Sequence, residues 1–198
     1  MTPTSQQLIC AELEEIENSF IALREIFSKG VHEFDHLVSA GADTLQKGGT
    51  IFFAGNGGSF ADAQHMAAEF TGKLSRDRRP LSSIVLGANS SSISAIGNDF
   101  GYDKVFAREL RGLGSENSTV IGFTTSGRSQ NLIELAKASV DIGAKFFAFT
   151  GQSECELAKY GKTIKVPSLR TERVQEMHTA LGHLFCLLVE EKLGIFNS

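Results

Sequence analysis

The amino-acid sequence predicts an α/β fold: a three-layer α-β-α sandwich with a five-stranded parallel sheet, preceded by N-terminal helices. Three observations carry this. Short apolar runs such as Val120-Ile121-Gly122-Phe123 and Phe146-Phe147-Ala148-Phe149 have no polar face, as strands buried on both sides require. These runs alternate with longer stretches of helical spacing. The first run, Thr50-Ile51-Phe52-Phe53-Ala54, passes straight into a glycine turn, Gly55-Asn56-Gly57-Gly58-Ser59, and then a helix, the strand–turn–helix unit of an open parallel sheet.

The elements follow in order. Residues 5–28 read as one long helix, because Ile9, Leu13, Ile16, Phe20, Leu23 and Phe27 recur at alternating four- and three-residue steps. Gly30 interrupts it. A second helix is expected to run to Leu45 or Gln46, where Lys47-Gly48-Gly49 ends it. Strands are expected at 51–54, 83–86, 119–123, 146–149 and 163–166. Helices are expected between them at 59–75, 90–96, 102–112, 129–142 and 153–160, with a last one over 171–192. No repeat, low-complexity tract or inter-domain linker breaks the pattern. The apolar stripe of the N-terminal helices can pack on the sheet or on another subunit.

Composition narrows the class. A chain of 198 residues suits one domain with a substantial core, and 41% hydrophobic with 21% charged residues is an ordinary globular balance. A net charge of −4 gives no bulk electrostatic reason to bind nucleic acid. No apolar run nears the roughly 18 residues of a membrane span. The opening Met1-Thr2-Pro3-Thr4-Ser5-Gln6-Gln7 lacks the basic and apolar regions of a signal peptide. Cys10, Cys155 and Cys186 are scattered, with no CxxC, and read as buried thiols of a reducing compartment. A soluble cytoplasmic protein is the expectation.

Two loops have the chemistry of anion cradles. Gly55-Asn56-Gly57-Gly58-Ser59 lies at a strand's carboxyl end, where open α/β sheets bind ligands. Its glycines admit close backbone approach, and the following helix offers free N–H groups. Phe60 replaces the third glycine of a dinucleotide fingerprint, and no GK[ST] of a nucleotide-binding P-loop follows. A tight turn without ligand has the same pattern. The second loop, Thr124-Thr125-Ser126-Gly127-Arg128-Ser129, brings hydroxyls and a glycine to the start of another helix. Ser129 suits an N-cap, but capping needs one hydroxyl and the loop has four.

His65 and Glu69 are an i,i+4 pair and share a helix face, with Asp62 nearby. Gln175 and His183 lie eight residues apart on the last helix, two turns plus about 80°, so they can reach one pocket from neighbouring edges. His65, Glu69, Gln175 and His183 are a mixed N/O set suited to a divalent ion such as zinc. The same groups serve equally as acid and base without metal. Singly, each also has a purely structural role open to it. His32-Glu33-Phe34-Asp35-His36 spells HExxH, but it lies in the N-terminal helical segment without a further ligand at metzincin spacing, and reads as a solvated helix.

Together these residues resemble the sugar isomerase (SIS) domain, and within it the phosphoheptose isomerase family. The resemblance covers nearly the whole chain. It is carried by Gly55-Asn56-Gly57-Gly58-Ser59 with Asp62, His65 and Glu69, and by Ala95-Ile96-Gly97-Asn98-Asp99-Phe100-Gly101. It continues through Thr125-Ser126-Gly127 with Ser129 and Asn131, and through Val174-Gln175-Glu176-Met177-His178 with His183. It implies an SIS fold, with residues 1–48 as an N-terminal helical oligomerisation segment and 49–198 as the SIS domain. It implies a homotetramer with active sites formed between subunits. Substrate contacts are implied at Asn56, Gly57, Gly58, Glu69, Asn98, Asp99, Thr124, Thr125, Ser126, Ser129 and Gln175. A zinc ion, one per subunit, is implied at His65, Glu69, Gln175 and His183. The implied reaction converts sedoheptulose 7-phosphate to D-glycero-D-manno-heptose 7-phosphate, the first step toward ADP-heptose for lipopolysaccharide or related surface glycans.

Ketose–aldose isomerisation through an enediol needs a base at carbon and stabilisation of the enediolate oxygen. Glu69 is expected as that base and His183 as the proton shuttle between O1 and O2. The phosphate is expected in the Thr124–Ser129 cradle and the sugar near Gly55–Ser59. Two positions depart from the family's common pattern: Thr124 where serine is frequent, and Glu172 where some members have aspartate. Two other readings stand beside this one. A non-catalytic SIS relative binds the replication initiator DnaA, but lacks counterparts of Glu69 and His183. Isomerases of hexose or amino-sugar phosphates are the other class; the amino-sugar branch would use a lysine or a different acid arrangement.

Overall fold

The structure is a computed structural model and describes residues 3–196. Residues 1, 2, 197 and 198, which belong to the expected terminal segments, lie outside the described residues. Two helices, α1 (Ser5–Lys29) and α2 (His32–Gln46), precede the sheet. Then come β1 (Ile51–Gly55), α3 (Gly58–Thr71), β2 (Ser83–Val85), α4 (Ser90–Phe100) and α5 (Val105–Leu113). The chain continues with β3 (Thr119–Thr124), α6 (Gln130–Asp141), β4 (Lys145–Thr150), β5 (Lys162–Lys165) and α7 (Thr171–Leu193).

The five strands form one parallel sheet in the order β2-β1-β3-β4-β5. Both faces are covered, as expected from the all-apolar runs. Phe53, Ile121, Phe123 and Phe149 face the core beneath α2, α3 and α7. Phe52, Ala54, Val120 and Ala148 face α5 and α6. The edge strands are shorter and carry partly exposed residues, including Lys162 and Lys165, which protects a sheet edge from further pairing.

Three expectations need correction. The expected helix at 153–160 is only a 3-10 turn, Glu156–Lys159. Cys155 is extended, with φ −143°, and the turn docks by burying Leu157; so few residues cannot repay helix nucleation. The helix expected over 59–75 ends at Thr71, where Gly72 caps it and Arg78 takes up its last carbonyls. The thiols are not all buried: Cys10 is exposed on α1, Cys155 is half-buried, and only Cys186 lies in the core. Smaller differences are that α4 runs on to Phe100 and that a 3-10 turn, Tyr102–Lys104, precedes α5.

Helix α1 is joined to the body through its middle, at Glu12 and Glu15, and through Leu23 farther along. A capping box between Thr4 and Gln7 starts it. Arg170 pairs with Glu12 and Glu15, while Leu23 packs into the core. Leu8, Ile9 and Leu13 on the same helix stay exposed. No helix among the described residues is long and apolar enough to cross a membrane.

Candidate active site

The strand order places the site. From β1 the chain crosses to β2 on one side, and β3 lies on the other. The carboxyl ends of β1 and β3 therefore flank the switch point at which ligands bind in open α/β sheets. In register, Gly55 pairs with Phe123, so the two cradle loops leave the sheet side by side. Between them lies a cavity of about 260 Å³, lined by Asn56, Gly58, Thr124, Thr125, Ser126 and Ser129, with Thr171 and Gln175 from α7. A larger groove, about 450 Å³, lies between the α1–α2 corner and β5 and holds none of the expected site residues.

The first loop turns through Gly57, whose φ of +57° is a conformation that L side chains rarely adopt. At Gly58 a methyl would lie 2.4 Å from Gln175 Nε2, so a side chain there would displace the Gln175 amide. In the second loop the Thr124 hydroxyl accepts the Gly127 N–H at 3.1 Å, and the Ser126 hydroxyl accepts the Arg128 N–H at 3.3 Å. Ser129 occupies the N-cap position of α6 without a side-chain capping bond. Its hydroxyl and the unpaired N–H groups of the helix's first turn are thus suited to an anion.

A reciprocal amide pair ties the two loops together. Asn56 Nδ2 donates to Asn131 Oδ1 at 2.9 Å, and Asn131 Nδ2 donates to Asn56 Oδ1 at 2.8 Å. The Tyr102 hydroxyl donates to Asn56 Oδ1 as well, at 3.1 Å. Asn56, expected as a substrate contact, therefore already holds the turn against α6. Asn131 stands among the motif residues but was not among the expected contacts, and nothing in the sequence marks Tyr102.

Farther along the two helices, beyond the residues that line this cavity, α3 and α7 bring three ionisable groups together. His65 Nε2 lies 3.0 Å from Glu69 Oε1 and 3.4 Å from His183 Nε2. Among the described residues these three are the group whose ligand atoms converge, all within 4.8 Å. The close crossing depends on Gly182, where a methyl would meet Met66 Sδ at 2.4 Å. Two ring nitrogens facing each other with a carboxylate oxygen beside them cannot all be satisfied by one proton. Ligand atoms about 2.05 Å from a tetrahedral ion would be roughly 3.3 Å apart, close to the 3.0 and 3.4 Å separations seen. The donor set thus fits a divalent cation. Gln175 is two turns earlier on α7, with its amide against Gly58.

Not all expected residues join this site within one chain. Asn98 and Asp99 are exposed near the end of α4, where Asn98 Nδ2 donates to Asp99 Oδ1 at 2.8 Å. They line a separate open groove of about 690 Å³ with Ser90, Ser91 and Ser94. Glu172 is held by Arg170 at 2.8 Å, and its carboxyl is lowered by a backbone hydrogen bond and by that guanidinium. His32 and His36 are exposed at the start of α2, as a solvated helix requires. Asp62 accepts the Thr179 hydroxyl at 2.6 Å, tying α3 to α7, and burial pushes its carboxyl up.

The SIS domain family model matches residues 16–151. A phosphoheptose isomerase of Aquifex aeolicus is 39% identical over 184 residues, covering 92% of this chain and 93% of that protein. The structure of phosphoheptose isomerase GmhA from Neisseria gonorrhoeae superposes with a TM-score of 0.87 at 34% identity, over 95% of this chain and all of that one. A phosphoheptose isomerase structure from Francisella tularensis gives 0.88 at 27% identity, over 96% and 100%. With the fold, both cradle loops and the His65–Glu69–His183 cluster in place, the chain belongs to the SIS-domain family and, within it, to the phosphoheptose isomerases.

Proposed function

We propose that this chain interconverts sedoheptulose 7-phosphate and D-glycero-D-manno-heptose 7-phosphate, as a cytoplasmic homotetrameric aldose–ketose isomerase supplying activated heptose for surface glycans. The observation that carries the reading is the convergence of His65, Glu69 and His183 on the same two helices, α3 and α7, that lend Gly58 and Gln175 to a hydroxyl-rich cavity at the sheet's switch point. One end of that arrangement suits proton transfer and the other suits a phosphate. The names of the Aquifex and Neisseria relatives support the substrate class.

In this reading the phosphate binds the Thr124–Ser129 loop and the first turn of α6. The Asn56-Gly57-Gly58 turn and Gln175 hold the sugar chain. Binding energy at the remote phosphate then fixes C1 and C2 against the reacting groups. Glu69 removes the proton from one carbon and returns it to the other. His183, when its Nε2 is not ligating a metal, moves the hydroxyl proton between O1 and O2. His65, Glu69 and His183, with Gln175, would hold a zinc ion, which when bound supplies Lewis-acid stabilisation of enediolate charge. Asn98 and Asp99, separate from this cavity in one chain, complete a neighbouring subunit's site in the tetramer.

The test is an isomerisation assay with sedoheptulose 7-phosphate beside fructose 6-phosphate, with and without chelator. Turnover of the heptulose phosphate that falls on chelation and returns with Zn²⁺ is expected. Turnover of only the six-carbon ketose overturns the substrate, and full activity in chelator removes the metal.

A further inference from the structure

Glu69 lies on α3 and His183 on α7, and a buried polar contact joins the end of α3 to α7. We propose that Arg78 and Glu190 are a positioning pair that fixes Glu69 against His183. This rests on the reading of the cluster given above. Arg78, in the segment between α3 and β2, pairs with Glu190 of α7 through Nε at 2.6 Å, and neither side chain is exposed. Its Nη2 donates to the carbonyl of Glu69 itself at 2.7 Å. Its Nη1 donates to the carbonyls of Phe70, Gly72 and Arg79 at 3.0 to 3.1 Å.

One guanidinium thus caps the end of the helix that carries the base. The capped residues include the base. The same group grips α7 at Glu190, seven residues beyond His183, two turns along nearly the same face of the helix. At the other end of the crossing, the Thr179–Asp62 bond fastens the same two helices. The cluster lies between the two fasteners. The sequence hides this role, because Arg76-Asp77-Arg78-Arg79 reads as a solvated charge run. A buried charge pair is a poor source of stability compared with apolar packing, but a planar five-donor fork can hold four carbonyls and a carboxylate in one geometry.

The experiment is Arg78→Lys. Lysine keeps the charge opposite Glu190 but has no fork, so it cannot also hold the Glu69 and Phe70 carbonyls. A folded variant is expected to lose at least about 10-fold in kcat, with KM within about 2-fold, because small displacements of reacting groups cost rate steeply. Its Zn²⁺ affinity, read by calorimetric titration independently of turnover, is expected to fall about 10-fold, as for loss of an orienting outer contact. A folded Arg78→Lys protein with wild-type kcat and Zn²⁺ affinity overturns the proposal. If that variant does not fold, Glu190→Gln decides instead: it keeps shape and every carbonyl contact of Arg78, and unchanged kcat there overturns the pair. If the wild type binds Zn²⁺ about 10-fold more tightly than Arg78→Lys but leaves sedoheptulose 7-phosphate untouched, the positioning role stands and the substrate reading falls.

Discussion

Glu69 is asked to do two things in the proposed reaction, and they compete. A carboxylate that donates electron density to a metal is a weaker base at carbon, so it must ligate loosely or change its coordination during turnover. Its position suits this, since one oxygen lies against His65 and its side chain remains partly accessible. Glu69→Gln should lower kcat by at least about 100-fold, the lower end of what a positioned base supplies, with an unchanged circular dichroism spectrum and melting point. Retained activity in that variant would remove Glu69 from the mechanism. At this scale the sequence was only partly informative. His65 and Glu69 share a face by helix arithmetic alone. The hold of Asn131 on Asn56 and the roles of Tyr102 and Arg78 could not be found, because the partners that define them, Asn56 and Glu190, lie 46 to 112 positions away.

Among the longer helices, α1 is the one whose burial in a single chain is least complete. Its periodic apolar face reaches the core only near Leu23, and Leu8, Ile9 and Leu13 remain in contact with water. Leu169, Leu184 and Leu188, on or just before α7, are exposed too. Apolar groups repeated along two helices suit a partner surface, in keeping with the proposed tetramer. Leu13→Glu should therefore give smaller species in analytical ultracentrifugation without loss of helix content. Activity should fall with it if Asn98 and Asp99 serve a neighbouring subunit. An unchanged sedimentation coefficient would remove α1 from the interface. Element types were mostly legible because helical and strand periods differ. The failure at 153–160 came from reading a short polar stretch as a helix when its one anchor, Leu157, needs only a turn.

For the whole molecule, the core beneath the site sets an acid limit on stability. Phe123 and Phe149 stack at 4.9 Å, and His178 lies against both rings, fully buried. Burial pushes its imidazole down to about 4, opposed only by the Thr150 backbone. The folded state therefore resists protonation that the unfolded chain accepts near 6.5. This contribution is complete above about pH 6.5 and is lost as pH falls toward 4, costing about 2 kcal/mol by pH 5. Chemical denaturation of wild type and His178→Gln at pH 7 and pH 5 checks the sign: the wild type should lose that stability, and the variant should lose clearly less. Equal losses would place the acid sensitivity elsewhere.

The local pattern of residues determined the layers, the parallel sheet, both cradle loops and the i,i+4 pair. Each of these depends on neighbours within a few positions, where period and turn chemistry act directly. Only the tertiary structure decided which loops meet. The order β2-β1-β3-β4-β5 brings Gly55–Ser59 beside Thr124–Ser129 across some seventy residues of chain, and a close crossing at Gly182 carries His183 to His65. Strand order and helix crossing are set by long-range packing and by buried contacts such as Arg78–Glu190. No window of sequence contains both partners of such a contact.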